Sequence, residues 1–149
     1  RIGRLSGADS ARVMLDVFVG KAAALGLADV VEAIAVDDAV PPGPYDLIVS
    51  SMTLHHIRDV DALLASFFVA LSPGGQLCLA DLDPEGGLFH EDNRGVFHFG
   101  FDRAVLCRLL SATGFVQISE CTATEVVKPA PDGERRFSVF LITDKKPGR

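Results

Sequence analysis

The chain has 149 residues, of which 48% are hydrophobic and 23% charged, and its formal net charge at pH 7 is -6. This length and composition predict one domain with a sizeable core, spanning residues 1–149, and the acidic balance argues against a general nucleic-acid surface. The sequence contains no apolar run near the ~20 residues of a membrane span and no secretory signal. We therefore expect a cytoplasmic protein without nucleic-acid or membrane partners.

The cysteine content gives no sign of a metal site. Cys78, Cys107 and Cys121 are odd in number and lack metal-ligand spacing. Two lie in strand-like runs and one in a helix, where a free cysteine behaves as a small buried hydrophobe. We predict structural cysteines in a reducing compartment and no bound metal.

Strand-like and helix-like segments alternate along the chain, which predicts an α/β fold with a mostly parallel sheet. Ser10 is expected to cap a helix that continues to about Leu25 and ends at Gly26. A strand over Val30–Val36 follows, and the proline-rich segment Asp37–Pro44 must be a loop. The apolar stripe of the first helix is predicted to comprise Val13, Met14, Val17 and Phe18.

The next run, Tyr45–Met52, is continuously apolar after an acidic start and predicts a strand buried on both faces. Asp59 or Asp61 then begins a helix that continues through Leu71. The turn Ser72–Gly75 leads into the next strand. The inward face of this second helix is predicted to comprise Leu63, Leu64, Phe67, Phe68 and Leu71.

A strand over Gln76–Leu82 precedes a long irregular segment, Asp83–Gly100. Irregular loops of this length in a compact domain are usually functional or disordered. Asp102 is expected to cap a helix that reaches Thr113 and stops at Gly114. Two final strands, over residues 115–127 and 135–143, are joined by a connection short enough only for an antiparallel hairpin.

The segment YDLIVSSMTLHHIRDVDALL, followed by LSPGGQLCLADLD, resembles the class I S-adenosylmethionine-dependent methyltransferases, and most closely the group called methyltransferase type 11/12. The resemblance extends from about Ile2 to Thr143. It implies a three-layer, Rossmann-like sheet that is mostly parallel with an antiparallel C-terminal strand. It also implies S-adenosyl-L-methionine as the cofactor and transfer of a methyl group to an O, N or C nucleophile of a small molecule.

Measured against that family, the first strand and its glycine-rich cofactor loop are missing, since no GxGxxG or GxGxG stretch occurs. We expect a truncated chain that binds the cofactor poorly, with the sheet completed by an absent N-terminal segment or a second chain. If the residues fold alone, the strands containing Leu5 and Ile48 should pair directly or leave a groove between them.

The resemblance assigns cofactor contacts to acidic residues at strand ends. Asp9 matches the carboxylate that accepts hydrogen bonds from both ribose hydroxyls, although it could also cap the following helix. Asp38, with Asp37 as the neighbouring candidate, matches the residue near the adenine amino group; both could equally be solvated. The main chain of Ser50, Ser51 and Met52 matches the floor beneath the methionine part.

Histidines in two segments are candidates for the reaction itself. His98, ahead of His90, could remove the substrate proton, because both lie in the long loop that resembles a segment over the family's active-site mouth. The alternative is a loop fixed by aromatic burial, with histidines bonded to backbone. His55 and Phe101 are expected to border the substrate pocket, and His55 could instead be part of the scaffold.

The sequence is also compatible with two other functions. One is a non-catalytic binding or scaffold domain that kept the fold and lost the cofactor. The other is a different doubly wound protein, such as a nicotinamide-dependent reductase, for which the phosphate-binding fingerprint is lacking.

Overall fold

The computed structural model describes residues 3–37, 40–131 and 133–148. They form two compact units, Arg1–Pro42 and Gly43–Arg149. Asp38 is a candidate cofactor contact and lies outside the described residues. No helix in the described part of the chain is long and apolar enough to cross a membrane.

The first unit is a strand–helix–strand arrangement. Strand β1 (Leu5–Asp9) and strand β2 (Val31–Ala35) pair in parallel, with Leu5 opposite Val31 and Asp9 opposite Ala35. Helix α1 (Arg12–Ala24) and a short 3₁₀ turn (Ala28–Val30) connect them. The strand expected over residues 30–36 is therefore confirmed.

Helix α1 begins one residue later than the sequence predicts. Its N-cap is Ala11, and no side chain in the described part of the chain caps it. The expected Ser10 cap is wrong because Asp9 makes the local turn, with its Oδ1 accepting from the Ala11 N–H at 2.7 Å. The predicted end at Gly26 is confirmed: the N–H groups of Gly26 and Leu27 donate to carbonyls of the last helical turn.

The predicted apolar stripe of α1 is largely wrong, since Val13, Met14 and Val17 are exposed. Leu15 and Ala22 are buried instead. They share one helix face with the half-buried Phe18, since these positions are spaced i, i+3 and i+7. A Cβ at Gly7 of β1 would lie 2.5 Å from the Phe18 ring, so the missing side chain makes room for that ring.

The second unit is built on a four-stranded sheet in the order β3-β4-β6-β5. Strand β3 (Tyr45–Ser51) runs parallel to strand β4 (Leu71–Leu82). Strands β5 (Val116–Ala130) and β6 (Gly133–Lys145) form the antiparallel hairpin that the sequence predicts, and β6 also pairs with β4.

Strand β3 is not buried on both faces, contrary to expectation. Leu47 and Val49 are 53% and 65% exposed, whereas Ser50, on the opposite face beside Leu79, is buried. Leu47 and Val49 share their face with Gln76 and Cys78 of β4, which are exposed and half-buried, so one face of this sheet is buried and the other is not. An apolar run therefore identified the strand but not its environment.

The predicted turn Ser72–Gly75 is a break inside β4. Leu71 pairs with Tyr45 and Gln76 pairs with Leu47, so these four residues lie opposite Asp46 alone. The Gly74 N–H donates to the carbonyls of Lys146 and Pro147, which ties the break to the end of β6. The turn is thus a long bulge within one strand.

The predicted starts of the next two helices are confirmed, and the first of these helices ends at Ala70, one residue before the predicted Leu71. Helix α2 (Val60–Ala70) is capped by Asp59, whose Oδ1 accepts from the Ala62 N–H at 2.9 Å. Helix α3 (Arg103–Thr113) is capped in the same way by Asp102 and ends at Gly114. The core of this unit is formed by apolar residues of α2, α3, β4 and β6: Leu63, Leu64, Phe67, Leu71, Leu77, Leu79, Leu106, Leu110, Phe140 and Ile142.

Within the described chain the strands containing Leu5 and Ile48 belong to separate sheets. Direct pairing, one of the two outcomes expected for them, is therefore not observed. All three cysteines are free; Cys78 and Cys107 are half-buried, whereas Cys121 is exposed rather than buried. Burial raises the pKa of the Cys78 and Cys107 thiols, which keeps them protonated and unreactive.

Candidate active site

Strand β4 carries a fully buried acid, Asp81, within an apolar run. Its Oδ1 accepts from the Leu82 N–H at 2.8 Å and contacts His55 Nδ1 at 2.7 Å. Its Oδ2 accepts from the His55 N–H at 3.3 Å. These contacts offset the cost of removing the carboxylate from water.

His55 lies in a 3₁₀ turn (Leu54–His56) that follows β3, and only 1% of it is exposed. Because an ionised carboxylate only accepts hydrogen bonds, the His55 Nδ1 carries the hydrogen that is donated to Asp81. The neutral ring then has its lone pair on Nε2. Asp81 thus fixes both the orientation and the tautomer of this imidazole.

His90 contacts that lone pair. Its Nε2 lies 3.1 Å from Nε2 of His55, which makes His90 the donor and leaves the lone pair of the His90 ring on Nδ1. His90 is half-buried, whereas His55 is not accessible. Burial lowers the pKa of His90, and the nearby His55, His56 and Lys128 lower it further, against the opposing effect of Glu85. Asp81, His55 and His90 therefore form a continuous hydrogen-bonded chain from the core to the surface.

His56 joins the same cluster from the exposed side. Its ring centroid lies 4.1 Å from that of His55 and 5.4 Å from that of His90. Its Nδ1 lies 2.8 Å from the carbonyl oxygen of Gly95, so Nδ1 carries the hydrogen and Nε2 is left with the lone pair. One nitrogen from each of the three rings lies within 4.8 Å of the others.

His98 anchors the loop to the 3₁₀ turn. Its Nε2–H donates to the Ile57 carbonyl at 2.9 Å, and the N–H groups of Phe97 and His98 both donate to the His55 carbonyl. The ring of Phe101 lies 5.1 Å from the His98 ring, and the Phe101 N–H donates to Leu82 at 2.8 Å. Both residues therefore lie where the predicted long loop returns to β4, beside His55.

The two ends of that loop are joined by Arg103. Its guanidinium makes a bidentate ion pair with Asp83, at 2.7 and 2.6 Å, and a further ion pair with Glu120 at 2.7 Å. The hydrogen bonds from Arg103 lower the pKa of Asp83. The start of the loop, the first turn of α3 and strand β5 are thereby held together.

A second set of contacts holds the residue that precedes His90. Lys128 Nζ donates to the Phe89 carbonyl at 2.5 Å and lies 3.7 Å from the centre of the Phe89 ring. The carboxylate of Glu85 accepts from the N–H groups of Leu88 and Phe89. These contacts limit the freedom of the loop where it presents His90.

The cofactor candidates of the first unit lie at or just after strand ends. Asp9 ends β1; its Oδ1 accepts from Ala11, whereas Oδ2 has no hydrogen-bond partner in the described part of the chain. The geometry does not support Asp9 as the cap of α1, because no side chain among the described residues caps that helix. Asp9 instead makes the local turn through Oδ1, and its Oδ2 can still accept a hydrogen bond. Asp37 is exposed beyond the end of β2.

In the second unit, the main chain after β3 changes direction at Met52. Met52 has a φ of 55°, which is uncommon for a residue other than glycine, and its N–H donates to the Ala80 carbonyl at 2.8 Å. Its side chain packs against the cluster formed by Leu82, Phe89, Phe137 and Val139. Ser50 is buried and Ser51 exposed. Unusual backbone of this kind is often found at functional sites.

The first unit contains a cavity of about 310 Å³, and its lining contains no histidine that could act as a base. Gly3, Arg4, Val30, Val31 and Glu32 line it, together with Asp29, at the N-terminal ends of β1 and β2. In open parallel sheets, ligands bind outside the carboxyl ends of the strands. This cavity lies at the opposite ends of its strands and is therefore not the candidate site.

Sequence reasoning missed the role of Asp81 and of the Asp83–Arg103 pair. One signal was available, because an acid inside the run LCLADL must find buried donors once the strand enters a core. The partner was not readable, since His55 is 26 positions away and meets Asp81 only through the pairing of β3 and β4.

Comparison with known proteins identifies the family. A profile described as a methyltransferase domain matches residues 10–121, which is most of the chain. A highly reducing polyketide synthase, ltbA, from Aspergillus luteorubrus is 30% identical over 132 residues; the match covers 76% of this chain and 4% of the synthase.

Solved structures share the fold. A putative methyltransferase from Bacillus halodurans gives a TM-score of 0.75 at 12% identity, over 97% of this chain and 83% of that protein. Phosphoethanolamine N-methyltransferase 2 of Haemonchus contortus, solved in complex with S-adenosyl-L-methionine, gives 0.71 at 16% identity, over 95% and 43%. The fold is thus the α/β, Rossmann-like methyltransferase fold that the sequence predicts, and the chain belongs to the methyltransferase domain family.

Proposed function

We propose that this chain is the catalytic part of an S-adenosyl-L-methionine-dependent methyltransferase that acts on a small-molecule nucleophile. The family assignment and the structural neighbours support the reaction class and the cofactor. The observation that carries the mechanism is the buried chain Asp81–His55–His90, which ends at a half-buried imidazole. A proton acceptor backed by a carboxylate is what a nucleophile needs when it must lose a proton.

In this mechanism the proton moves along the hydrogen bonds that join His90, His55 and Asp81, from the surface toward the core. Substrate gives its proton to the free Nδ1 of His90, and the hydrogen on His90 Nε2 passes to Nε2 of His55, 3.1 Å away. His55 then carries the positive charge beside the Asp81 carboxylate, which stabilises it as a neighbouring acid stabilises an imidazolium. His90 is therefore the catalytic residue, whereas His55 and Asp81 act through it.

When bound, S-adenosyl-L-methionine supplies a methyl group on a sulfonium, which is already a good leaving group. The protein then has to align the nucleophile and exclude water. We assign the alignment of the loop to His98 and Phe101, and the contacts to the cofactor to Asp9, Asp37 or Asp38, and the main chain of Ser50, Ser51 and Met52. The free Oδ2 of Asp9 suits a ribose hydroxyl.

We further propose a carbon acid as the substrate. The polyketide synthase relative supports this, because polyketide chains carry carbons between two carbonyl groups. Such a carbon becomes a nucleophile only after a base removes its proton. The proton leaves to His90, the new C–C bond forms to the methyl group, and the S–CH₃ bond breaks to leave the neutral thioether.

The test is transfer of an isotope-labelled methyl group from S-adenosyl-L-methionine to the N-acetylcysteamine thioester of acetoacetate. Because the sequence has no glycine-rich cofactor loop, we expect weak cofactor binding and would use the cofactor in excess. The matched control is the 2,2-dimethyl analogue, which lacks the acidic C–H. We expect label at carbon 2 of the first compound and none in the second.

Other outcomes separate the alternatives. Transfer only to an amine such as phosphoethanolamine would leave a methyltransferase but refute the carbon acid. Absence of transfer to any acceptor, together with absence of cofactor binding at millimolar concentration in calorimetry, would favour a non-catalytic scaffold domain.

A further inference from the structure

The cluster of His55, His56 and His90 has a second chemical capacity beyond moving protons. Histidines that bind metals almost always donate the other ring N–H to a carboxylate or a backbone carbonyl, which fixes the ring and directs the free nitrogen toward the ion. Two of the three rings have this support: Nδ1 of His55 bonds to Asp81, and Nδ1 of His56 bonds to the Gly95 carbonyl.

The spacing of the nitrogens also suits an ion. Zn–N bonds of 2.0–2.1 Å in a tetrahedral site place ligand nitrogens roughly 3.4 Å apart. The Nε2 atoms of His55 and His90 are 3.1 Å apart, and one nitrogen from each of the three rings lies within 4.8 Å of the others. Exposed His56 and half-buried His90 can turn toward the ion, while Asp81 keeps His55 in place.

We propose that His55, His56 and His90 bind a divalent transition-metal ion of the zinc type, through one nitrogen of each ring. Three imidazoles leave the fourth tetrahedral position to water or another ligand. Imidazole ligands suit zinc, copper and nickel, and disfavour magnesium and calcium, which take oxygen ligands. This site is not predictable from the sequence, because the two segments that carry these histidines are 34 positions apart and have no ligand spacing.

Binding would have a consequence for the reaction, and this consequence rests on the proposed function. The ion takes the lone pair of His55 and displaces the His90–His55 hydrogen bond, so the proton chain is interrupted. We therefore expect zinc to inhibit methyl transfer.

The direct test is titration of the purified chain, free of any histidine tag, with Zn²⁺ against a chromogenic chelator, and with Co²⁺ by visible absorption. We expect one ion per chain. His56→Gln and His90→Gln should each weaken zinc binding at least about tenfold, and Asp81→Asn, which removes an outer partner, about 10–100-fold. His98→Gln is the matched control, since His98 bonds to Ile57 outside the cluster, and should bind zinc like the wild type.

Circular dichroism of each variant confirms that it is folded, and the exposed position of His56 makes His56→Gln the safest of them. Zinc binding that is equal in wild type, His56→Gln and His90→Gln would overturn the site, whether the ion goes elsewhere or does not bind. If zinc binds through these residues and methyl transfer is unaffected, the site stands and the proposed proton chain fails. If zinc does not bind and transfer requires His90, the reverse holds.

Discussion

Asp81 and Asp144 are both buried acids on the same face of neighbouring strands, and their surroundings are opposite. Asp81 accepts hydrogen bonds from His55 and Leu82, whereas neither carboxylate oxygen of Asp144 has a hydrogen-bond partner among the described residues. Burial raises the pKa of Asp144 to about 7. Asp144 also raises the pKa of Cys78 across the β4–β6 ladder. Asp81 therefore belongs to the hydrogen-bonded candidate site, whereas Asp144 destabilises the folded state when it is ionised.

From the raised pKa of Asp144 we expect an unusual dependence of stability on pH. The native state keeps this proton up to about pH 7, whereas an unfolded aspartate loses it near pH ~4. Unfolding therefore releases a proton in this window, and the free energy of unfolding falls as the pH rises through it, by on the order of 3 kcal/mol between about pH 5 and 8. In Asp144→Asn we expect this part of the slope to vanish.

Urea unfolding at about pH 5 and about pH 8 measures this change in the free energy of unfolding. Asp46→Asn, at an exposed aspartate of β3, is the control and should keep the wild-type slope. An identical slope in wild type and Asp144→Asn would show that the carboxyl group is solvated in the native state.

Substitution of Arg103 tests how strongly its ion pairs hold the start of the loop Asp83–Gly100. We expect Arg103→Ala to lower the free energy of unfolding by about 2 kcal/mol, because it removes charge-assisted bonds to Asp83 and Glu120 from a mostly buried guanidinium. Arg94→Ala removes an ion pair to Asp92, and the Arg94 side chain is 92% exposed. This substitution should change the free energy of unfolding by less than about 0.5 kcal/mol. Equal effects of the two substitutions in thermal unfolding would contradict this account.

At the scale of elements, the loop Asp83–Gly100 behaves as a fixed part of the structure. Its ends meet, since the Glu85 N–H donates to Phe99 and the Phe101 N–H donates to Leu82. Gly100 makes the close approach possible: its φ is 82°, and a Cβ there would lie 2.1 Å from the carbonyl oxygen of Asp83. Backbone atoms cannot yield as a flexible side chain would.

We therefore expect Gly100→Ala to destabilise the chain by about 2 kcal/mol or more, through the positive φ and the clash together. Gly20→Ala is the contrasting change, because Gly20 lies inside α1 with open space around its Cβ position. Alanine there should stabilise by about 0.5–1 kcal/mol. Denaturant midpoints of the two variants measure the difference, and a neutral Gly100→Ala would mean that the loop base is loose.

Local signals in the sequence predicted the ends of α2 and α3 well, whereas the predicted Ser10 cap of α1 was wrong. Asp59, Asp102 and Gly114 act through bonds to residues close in sequence, so their roles are readable from the chain alone. Burial was predicted less well, because the exposure of Val49 depends on which face of the four-stranded sheet is covered, and the exposure of Val13 depends on which face of α1 meets the strands.

At the scale of the whole molecule, the family was readable from the order of its motifs, whereas the site was not. The pairs His55–Asp81 and His55–His90 join residues that are 26 and 35 positions apart. A one-residue change in the register between β3 and β4 would separate the first pair. Spacing along the chain carries no information about such contacts. The sequence therefore predicts His98 ahead of His90 as the base, whereas in the structure the His90 ring contacts His55 and the His98 ring bonds to the Ile57 carbonyl.

The most direct test of the central claim, that the Asp81–His55–His90 chain takes the substrate proton, is the single-turnover rate of methyl transfer in His90→Gln and His98→Gln. General-base catalysis contributes roughly 10²–10⁴-fold, so we predict a loss of at least about 100-fold in His90→Gln. His98→Gln should remain within about tenfold of wild type, because the glutamine amide can still donate a hydrogen bond to Ile57. A near-normal rate in His90→Gln together with a large loss in His98→Gln would contradict the claim.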